Sequence, residues 1–146
     1  MTQLFLVDNS VLQRVHRSDA VAEALIDLLA TGDLASCLPQ VLEEGFSAQT
    51  ADEHRRLIDA SSKAKIFLEP DAEVARLSVD LQRRLFIAGR GRSVGVSDLQ
   101  IASTALRYAT ESRRISVVHY DADFESIAVV EPSFSHRWIV PRGSVD

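Results

Sequence analysis

The stretch LFLVDNS, at positions 4–10, sets an acidic residue directly behind a continuous apolar run. Four apolar residues in a row, Leu4–Val7, are typical of a strand that is buried on both faces of a parallel sheet. The short polar side chains that follow, Asp8, Asn9 and Ser10, favour a helix start because such side chains cap the free N–H groups of a first turn. The stretch therefore predicts a β-strand that passes into a helix, with Asp8 at the junction.

The rest of the chain alternates between strand-like and helix-like patterns. Short β-like runs recur at 34–38, 66–68, 115–118 and 134–140, the last as an edge strand. Apolar residues at three- and four-residue spacing predict helices at 19–31, 39–48, 52–65, 70–88, 97–109 and 121–130. We expect Asp19 and Ser97 to cap the helices that they begin. Strands that alternate with helices favour an α/β domain with a mainly parallel central sheet.

Composition limits the classes of protein that the chain can belong to. Its 146 residues, 46% of them hydrophobic, suffice for one ordinary domain with a single core. No apolar run reaches the roughly 18 residues that span a bilayer, and the start lacks the basic residues of a signal peptide, so we expect a cytoplasmic protein without a membrane partner. One cysteine excludes an internal disulfide framework. A net charge of −5 means that any contact with nucleic acid is local.

Acidic residues stand at the edge of four apolar segments. Asp8 and Asp121 follow predicted strands, whereas Asp98 and either Glu43 or Glu44 fall near the start of predicted helices. The functional crevice of an open parallel sheet lies beyond the carboxyl ends of its strands, and helix amino termini there tolerate negative charge. Each acid alone is equally well explained as a helix cap or a solvated charge. Their joint placement indicates one metal site.

The ligand chemistry of such a site points to a hard cation. Carboxylates without neighbouring cysteine or histidine clusters favour Mg²⁺ or Mn²⁺ over zinc or copper. A cation held in this way lowers the pKa of water and stabilises the charge that builds up on a phosphodiester. The pattern therefore predicts hydrolysis of a nucleic-acid backbone.

Four segments in order resemble one known family: VDNSVL at 7–12, VLEEGFSA at 41–48, VSDLQIASTAL at 96–106 and HYDADFESIA at 119–128. Together they are similar to the PIN-domain ribonucleases, and most of all to the VapC-type toxins of bacterial toxin–antitoxin pairs. The resemblance implies a three-layer α/β/α sandwich formed by residues 1–146 as a single PIN-like domain. It also implies an Mg²⁺- or Mn²⁺-dependent endoribonuclease that acts on RNA, binds a small antitoxin protein and forms a homodimer.

The resemblance also assigns the acids of the site. Asp8 matches the first family acid, Asp98 the third and Asp121 the fourth, while Asp123 matches a frequent additional acid; all four are expected metal ligands. For the second acid, the spacing to the following small and aromatic residues favours Glu43 over Glu44. Adjacent helical residues point about 100° apart, so the two glutamates are not expected to reach the same ion.

Further residues are candidates for supporting roles. Ser10 stands two positions after the first acid, where its hydroxyl either binds the carboxylate or satisfies local backbone. His119 replaces the threonine that the family often has; it orients Asp121, binds a substrate phosphate or is simply structural. Ser97 replaces the family's usual proline. Candidate RNA-binding residues are Arg14, Arg90 and Arg92.

Two aromatic residues and one helical segment leave further alternatives open. Trp138 and Tyr120 are candidates to stack on bases, and packing beneath the edge strand is the alternative for Trp138. The helical hairpin at residues 40–65 is the expected docking surface for an amphipathic antitoxin helix, although apolar residues such as Phe46 are equally compatible with an ordinary core.

Three other classes of protein fit this pattern less well. A receiver-like phospho-accepting domain requires an aspartate after its third strand and a lysine after its last, and the chain has lysine only at positions 63 and 65. A phosphatase of the haloacid-dehalogenase type requires a second aspartate at the position that Ser10 occupies. A PIN-like scaffold without activity is the remaining alternative, and the complete set of acids argues against it.

Overall fold

A fully parallel five-stranded sheet forms the centre of the protein in the computed structural model, which describes residues 1–146. The strands are β1 Thr2–Val7, β2 Asp33–Cys37, β3 Ile66–Leu68, β4 Arg113–His119 and β5 His136–Trp138. They lie in the order β3-β2-β1-β4-β5, and every neighbouring pair is parallel. The strand that opens the chain is therefore at the middle of the sheet, where its apolar residues Leu4–Val7 are buried.

Helices cover both faces of the sheet and complete a three-layer sandwich. Their bounds are α1 Asn9–Leu12, α2 Asp19–Leu29, α3 Leu38–Phe46, α4 Ala51–Ala64, α5 Ala72–Ile87, α6 Val96–Tyr108 and α7 Asp123–Val130, with a 3-10 turn at Gly91–Ser93. None of them combines the length and the apolar character that would be needed to cross a membrane.

Side chains on β1 alternate between two separate hydrophobic cores. Leu4 and Leu6 pack in a large core with residues of α5, α6 and α7, such as Leu81, Ile101 and Phe124. The other face carries Phe5 and Val7, which pack in a smaller core with residues of α1 and α2. Because successive side chains of a strand point to opposite faces, this alternation buries Leu4–Val7 on both sides of the sheet. The predicted α/β/α sandwich is confirmed.

The order of the strands sets the position of the functional crevice. From β1 the chain moves to β2 and β3 on one side, and then crosses to β4 and β5 on the other. The reversal of direction between β1 and β4 is a topological switch point, where ligands of open α/β sheets bind. A receiver domain has the strand order 2-1-3-4-5 instead, so that alternative is wrong.

Several predicted boundaries differ from the structure. Ser18 caps α2 in place of Asp19, because the Ser18 hydroxyl accepts a hydrogen bond from the Val21 amide at 3.3 Å. Helix α6 begins at Val96 behind Gly95, so Ser97 lies inside the first turn and does not cap it. The final strand and α7 are shorter than predicted, since β5 spans His136–Trp138 and α7 begins at Asp123.

Candidate metal centre

Three aspartates from different parts of the chain meet at the switch point. Asp98 lies in the first turn of α6, Asp121 follows β4, and Asp123 is the first residue of α7. One carboxylate oxygen from each lies within 4.8 Å of the others. These are three of the four residues that the sequence predicted as metal ligands.

Asp8 lies at the same edge of the sheet but is not part of this triad. Its backbone amide donates a hydrogen bond to the Val118 carbonyl at 2.8 Å, which joins the end of β1 to the end of β4. The Asp8 side chain is only 6% exposed and caps α1 by accepting a hydrogen bond from the Ser10 amide at 3.1 Å. Asp8 is thus a helix cap and also a neighbour of the triad.

Burial and mutual repulsion raise the pKa of most of these carboxyls. Asp98 has its pKa raised to about 8, first by burial and then by the charges of Asp8, Asp121 and Asp123. Burial also raises the pKa of Asp8, and the Asp121 charge adds to this while hydrogen bonds from Ser10 oppose it. For Asp123, burial and the Asp121 charge raise the pKa as well. Like charges held this close favour a bound cation.

The two glutamates of α3 have separate surroundings. Burial and the Asp8 charge raise the pKa of Glu43, and a hydrogen bond with Ser97 opposes the rise. Glu44 instead forms a salt bridge with Lys65 at 2.5 Å, and both side chains of that pair are largely buried. Glu43 therefore shares the electrostatic environment of the acids, whereas Glu44 links α3 to the end of α4.

Ser10 connects the loop after β1 to the loop after β4. Its hydroxyl oxygen accepts a hydrogen bond from the Tyr120 amide at 2.9 Å, and its hydroxyl and amide both lower the pKa of Asp8. The predicted contact of Ser10 with the Asp8 carboxylate is present. The backbone group that its hydroxyl satisfies is the Tyr120 amide, which is distant in the chain and not the local backbone of the other alternative.

His119 is buried beneath the site rather than exposed in it. The ring is fully inaccessible to solvent, and its Nδ1 accepts a hydrogen bond from the Asp121 amide at 3.1 Å. Burial, and then the neighbouring His136, lower the pKa of His119 to about 3. A buried neutral ring has no access to a substrate phosphate, so that alternative for His119 is wrong.

The candidate RNA-binding arginines differ in how far their side chains are already engaged within the protein. Arg14 donates to the Ser10 carbonyl at 2.6 Å and to the Asp146 carbonyl at 2.7 Å, and its guanidinium lies over the Tyr120 ring. Arg90 reaches Ser126 on α7 at 3.4 Å, about one helical turn beyond Asp123. Arg92 is exposed on the 3-10 turn.

Tyr120 and Trp138 pack against each other and serve the fold. Their ring centroids are 5.3 Å apart in an edge-to-face arrangement. The Tyr120 hydroxyl donates to the Val145 carbonyl at 2.9 Å, and the Trp138 indole donates to Glu125 at 2.8 Å. Of the alternatives for Trp138, the structure favours packing, although the residue lies within the edge strand β5 and not beneath it.

Two residues near the site make contacts that the sequence did not predict. His136 holds the buried ring of His119 from β5, and Ser97 contacts Glu43. A histidine that interrupts an apolar strand is the only signal that pointed to His136. Ser97 was expected as a helix cap, and only its position next to Asp98 indicated a place in the site.

The donor set at the switch point fits a hard divalent cation. Three carboxylates converge there without a thiolate, and His119 uses both of its ring nitrogens in hydrogen bonds. Oxygen-only surroundings of this kind suit Mg²⁺ or Mn²⁺.

Comparison with curated proteins gives relatives that match along the whole chain. Ribonuclease VapC51 of Mycobacterium tuberculosis is 36% identical, with all of both chains covered. Ribonuclease VapC21 of the same species is 35% identical over 99% of both chains. No family model matches the chain.

Solved structures of low sequence identity share the fold. VapBC-1 from nontypeable Haemophilus influenzae has a TM-score of 0.71 at 18% identity, covering 93% of this chain and 98% of that one. DNA-bound VapBC from Salmonella typhimurium has a TM-score of 0.69 at 16% identity, covering 96% of this chain and 100% of that one. The sheet order and the acidic cluster define a PIN-like α/β/α protein. Given the full-length relatives, the chain belongs to the VapC ribonuclease family.

Proposed function

We propose that this protein is a metal-dependent endoribonuclease that cleaves RNA phosphodiester bonds as the toxin of a toxin–antitoxin pair. The observation that carries the proposal is the meeting of Asp98, Asp121 and Asp123 within 4.8 Å at the switch point of the sheet. Full-length similarity to proteins named as VapC ribonucleases supports the choice of RNA as substrate.

In this proposal the aspartates hold Mg²⁺ or Mn²⁺, with Asp98, Asp121 and Asp123 as ligands and Asp8 beside them. The ion, when bound, activates water and stabilises negative charge on the phosphodiester. Burial and the Asp8 charge raise the pKa of Glu43 above its ordinary value, which makes this carboxylate a better proton acceptor than an ordinary glutamate. Glu43 therefore takes the proton of the attacking water.

If Glu43 is the proton acceptor, the same Glu→Gln substitution at positions 43 and 44 is expected to change the cleavage rate differently. We expect Glu43→Gln to lower kcat by about 100-fold, because it removes a proton acceptor. Glu44→Gln is the matched control, and it is expected to keep its activity and to lose only part of the salt bridge with Lys65. Single-turnover cleavage of a model RNA measures both. Equal losses in the two variants would contradict the assignment.

Substrate phosphates are proposed to contact the exposed arginines of the loop before α6. Arg90 and Arg92 lie on or next to the 3-10 turn Gly91–Ser93, and Arg90 reaches the helix that Asp123 begins. Arginine binds phosphate oxygens through a charged fork of N–H donors. Such contacts position RNA without selecting its sequence.

The direct test uses purified protein and total cellular RNA. We expect cleavage with Mg²⁺ or Mn²⁺ and none after chelation with EDTA. An inactive scaffold of the same fold would leave the RNA intact under all conditions. Cleavage that persists unchanged in EDTA would overturn the metal-dependent chemistry.

An apolar groove next to Glu43 is proposed to bind the antitoxin. The groove has a volume of about 420 Å³. Among its lining residues, Leu42 is 61% exposed and Phe46 is 92% exposed, which is unusual for large apolar side chains. These residues lie on α3, in the predicted helical hairpin. An amphipathic helix of a small antitoxin fits a groove of this kind, and the similar solved structures are of VapBC complexes.

Substitution of Phe46 by Ser tests this groove without disturbing the core. We expect binding to the antitoxin to weaken by about 2 kcal/mol, or roughly 30-fold, as for an aromatic anchor of an interface. Ile26→Ser, on α2, is the control because Ile26 is also well exposed, at 68%. Titration calorimetry with the small protein encoded next to this gene measures both variants. Equal affinities for the Phe46 and Ile26 variants would exclude the groove.

A further inference from the structure

The imidazole of His119 is hydrogen-bonded to the main chain that carries the triad. His119 is the last residue of β4, and its Nδ1 accepts a hydrogen bond at 3.1 Å from the backbone N–H of Asp121, two positions later. The side chain has no exposed surface. A buried N–H without a partner is destabilising, so this contact holds the chain at Asp121 in one conformation.

The partners of the ring define its tautomer. A backbone N–H only donates, so Nδ1 of His119 carries the lone pair and Nε2 carries the hydrogen. The Nε2 atom lies 2.8 Å from Nδ1 of His136 on β5, which therefore accepts that hydrogen. Both ring nitrogens are used, and the hydrogen bonds run in one direction from the loop into the protein.

Aromatic packing fixes the plane of the same ring. The centroid of His119 lies 4.9 Å from that of Phe124 and 5.0 Å from that of Trp138. Phe124 follows Asp123 in the first turn of α7, and Trp138 is tied to the same helix by its 2.8 Å hydrogen bond to Glu125. The ring is therefore packed against the helix that begins with one of the clustered acids.

Three backbone N–H groups between the end of β4 and the start of α7 donate hydrogen bonds to side chains. The Tyr120 amide donates to the Ser10 hydroxyl at 2.9 Å, the Asp121 amide donates to His119, and the Asp123 amide donates to the Asp121 carboxylate at 2.9 Å. Loss of the contact between His119 and the Asp121 amide would free Asp121. This residue supplies one carboxylate of the triad and accepts a hydrogen bond from the amide of Asp123.

We propose that His119 is a positioning residue: its Nδ1 atom fixes the main chain at Asp121 and thereby keeps the carboxylates of Asp121 and Asp123 within reach of Asp98. The proposal rests on the proposed function for its relevance to RNA cleavage. It does not make His119 a catalytic residue, because the ring is closed off from solvent.

Two substitutions separate this role from simple packing. His119→Phe keeps the aromatic ring and its volume but has no acceptor. His119→Asn loses the ring, yet its side-chain oxygen can accept an N–H two residues later, as in an Asx turn. We expect His119→Phe to bind Mn²⁺ about 10- to 100-fold more weakly, as when other partners that orient metal ligands are removed. His119→Asn is expected to recover most of this affinity.

Titration of each purified variant with Mn²⁺ alone is the first measurement, and RNA cleavage is the second. A packing role predicts the reverse order, with Phe close to wild type and Asn impaired, and that result would overturn the proposal. If the wild type binds Mn²⁺ and the variants follow the expected order but no RNA is cleaved, the positioning role stands and the proposed ribonuclease function fails.

A measurement on the unsubstituted protein covers the case in which a variant does not fold. Nitrogen-15 NMR of the imidazole is expected to show His119 with hydrogen on Nε2 and none on Nδ1, and the Asp121 amide is expected to exchange slowly with solvent. A protonated Nδ1 or a rapidly exchanging Asp121 amide would refute the proposal.

Discussion

Replacement of Asp98 by Asn is expected to reduce kcat/KM for RNA cleavage by at least about 1,000-fold, which corresponds to roughly 4 kcal/mol of lost transition-state stabilisation. Asp98 lies close to the other acids, since the charges of Asp8, Asp121 and Asp123 all raise its pKa. The amide has nearly the same shape but no negative charge to hold a divalent cation. The fold is expected to survive, because the substitution relieves repulsion in the metal-free protein.

Asp52→Asn is the matched control for this prediction. Asp52 lies in the first turn of α4, and its side chain is 63% exposed beside Arg55 and Arg56. The same chemical change there is expected to leave cleavage within about twofold of wild type, as for surface substitutions in general. Cleavage of total RNA at equal protein concentrations compares the two variants. Undiminished activity of the Asp98 variant would reject the assigned chemistry.

The second prediction concerns stability without metal, which is expected to fall as the pH rises from 6.5 to 9. The pKa of Asp98 is about 8 in the folded protein against 3.8 in the unfolded chain, so the folded state binds the extra proton. Protonated Asp98 stabilises the folded state fully when the pH is below 3.8, the pKa in the unfolded chain. This stabilisation is lost as the pH rises through 8, the pKa in the folded protein. After allowance for solvent screening of this half-buried group, the loss over that interval is on the order of 1 kcal/mol.

The other titratable groups with shifted pKa values near the site either add to this loss of stability or act at a pH below 6.5. Asp8, Glu43 and Asp123 also have raised pKa values, and each favours the folded state most at low pH. His119 has the opposite sign: its pKa of about 3 lies below the ordinary 6.5, so its contribution is complete above 6.5 and is lost as the pH falls towards 3. The histidine therefore limits stability in acid and the carboxyl cluster limits it in base.

Addition of Mn²⁺ is expected to reverse the loss at high pH. A ligand at 100 times its Kd stabilises the folded state by about 2.7 kcal/mol. The gain is expected to be larger at pH 8 than at pH 6.5, because the carboxyls release protons when they bind a metal. Thermal unfolding with and without Mn²⁺ at both pH values measures the effect, with Asp98→Asn as control. An equal Mn²⁺ shift in the wild type and this variant would contradict the assigned site.

The central part of the fold was readable from the sequence for a simple physical reason. Strands buried on both faces need continuous apolar runs, and Leu4–Val7 satisfies this requirement, so a buried strand was predicted there. Its pairing with both β2 and β4 was seen only in the structure. Helix starts were less predictable, because several small polar residues near a start can serve as cap. Ser18 and Gly95 are the observed caps, and neither was the residue expected.

The grouping of the acids at one sheet edge was also predictable, but their individual surroundings were not. In a parallel sheet the strand ends and helix starts meet at the switch point because of the backbone topology alone. This topology brings Asp98, Asp121 and Asp123 together. The direction in which each carboxylate points depends on the partners of its own oxygens, which the apolar pattern does not specify. Lys65 forms a salt bridge with Glu44, and the Ser10 amide donates a hydrogen bond to the Asp8 carboxylate.

The contact between His119 and His136 was beyond sequence reasoning because it depends on strand register. Residue 119 of β4 is paired with Trp138, and residue 136 with Val117, so the two histidines are diagonal neighbours. A three-residue edge strand contains too few side chains to specify that register from the apolar pattern.

The pairing of β1 with β4 has a consequence for the protein while it is being made. The ribosome releases the chain from its amino end, so Thr2–Val7 emerges long before the strand Arg113–His119 that completes its other side. Until that later strand and the start of α7 have left the exit tunnel, Asp8 has no neighbouring Asp121 or Asp123. A nascent or prematurely terminated polypeptide that ends before the start of α7 is therefore unable to assemble the acidic cluster.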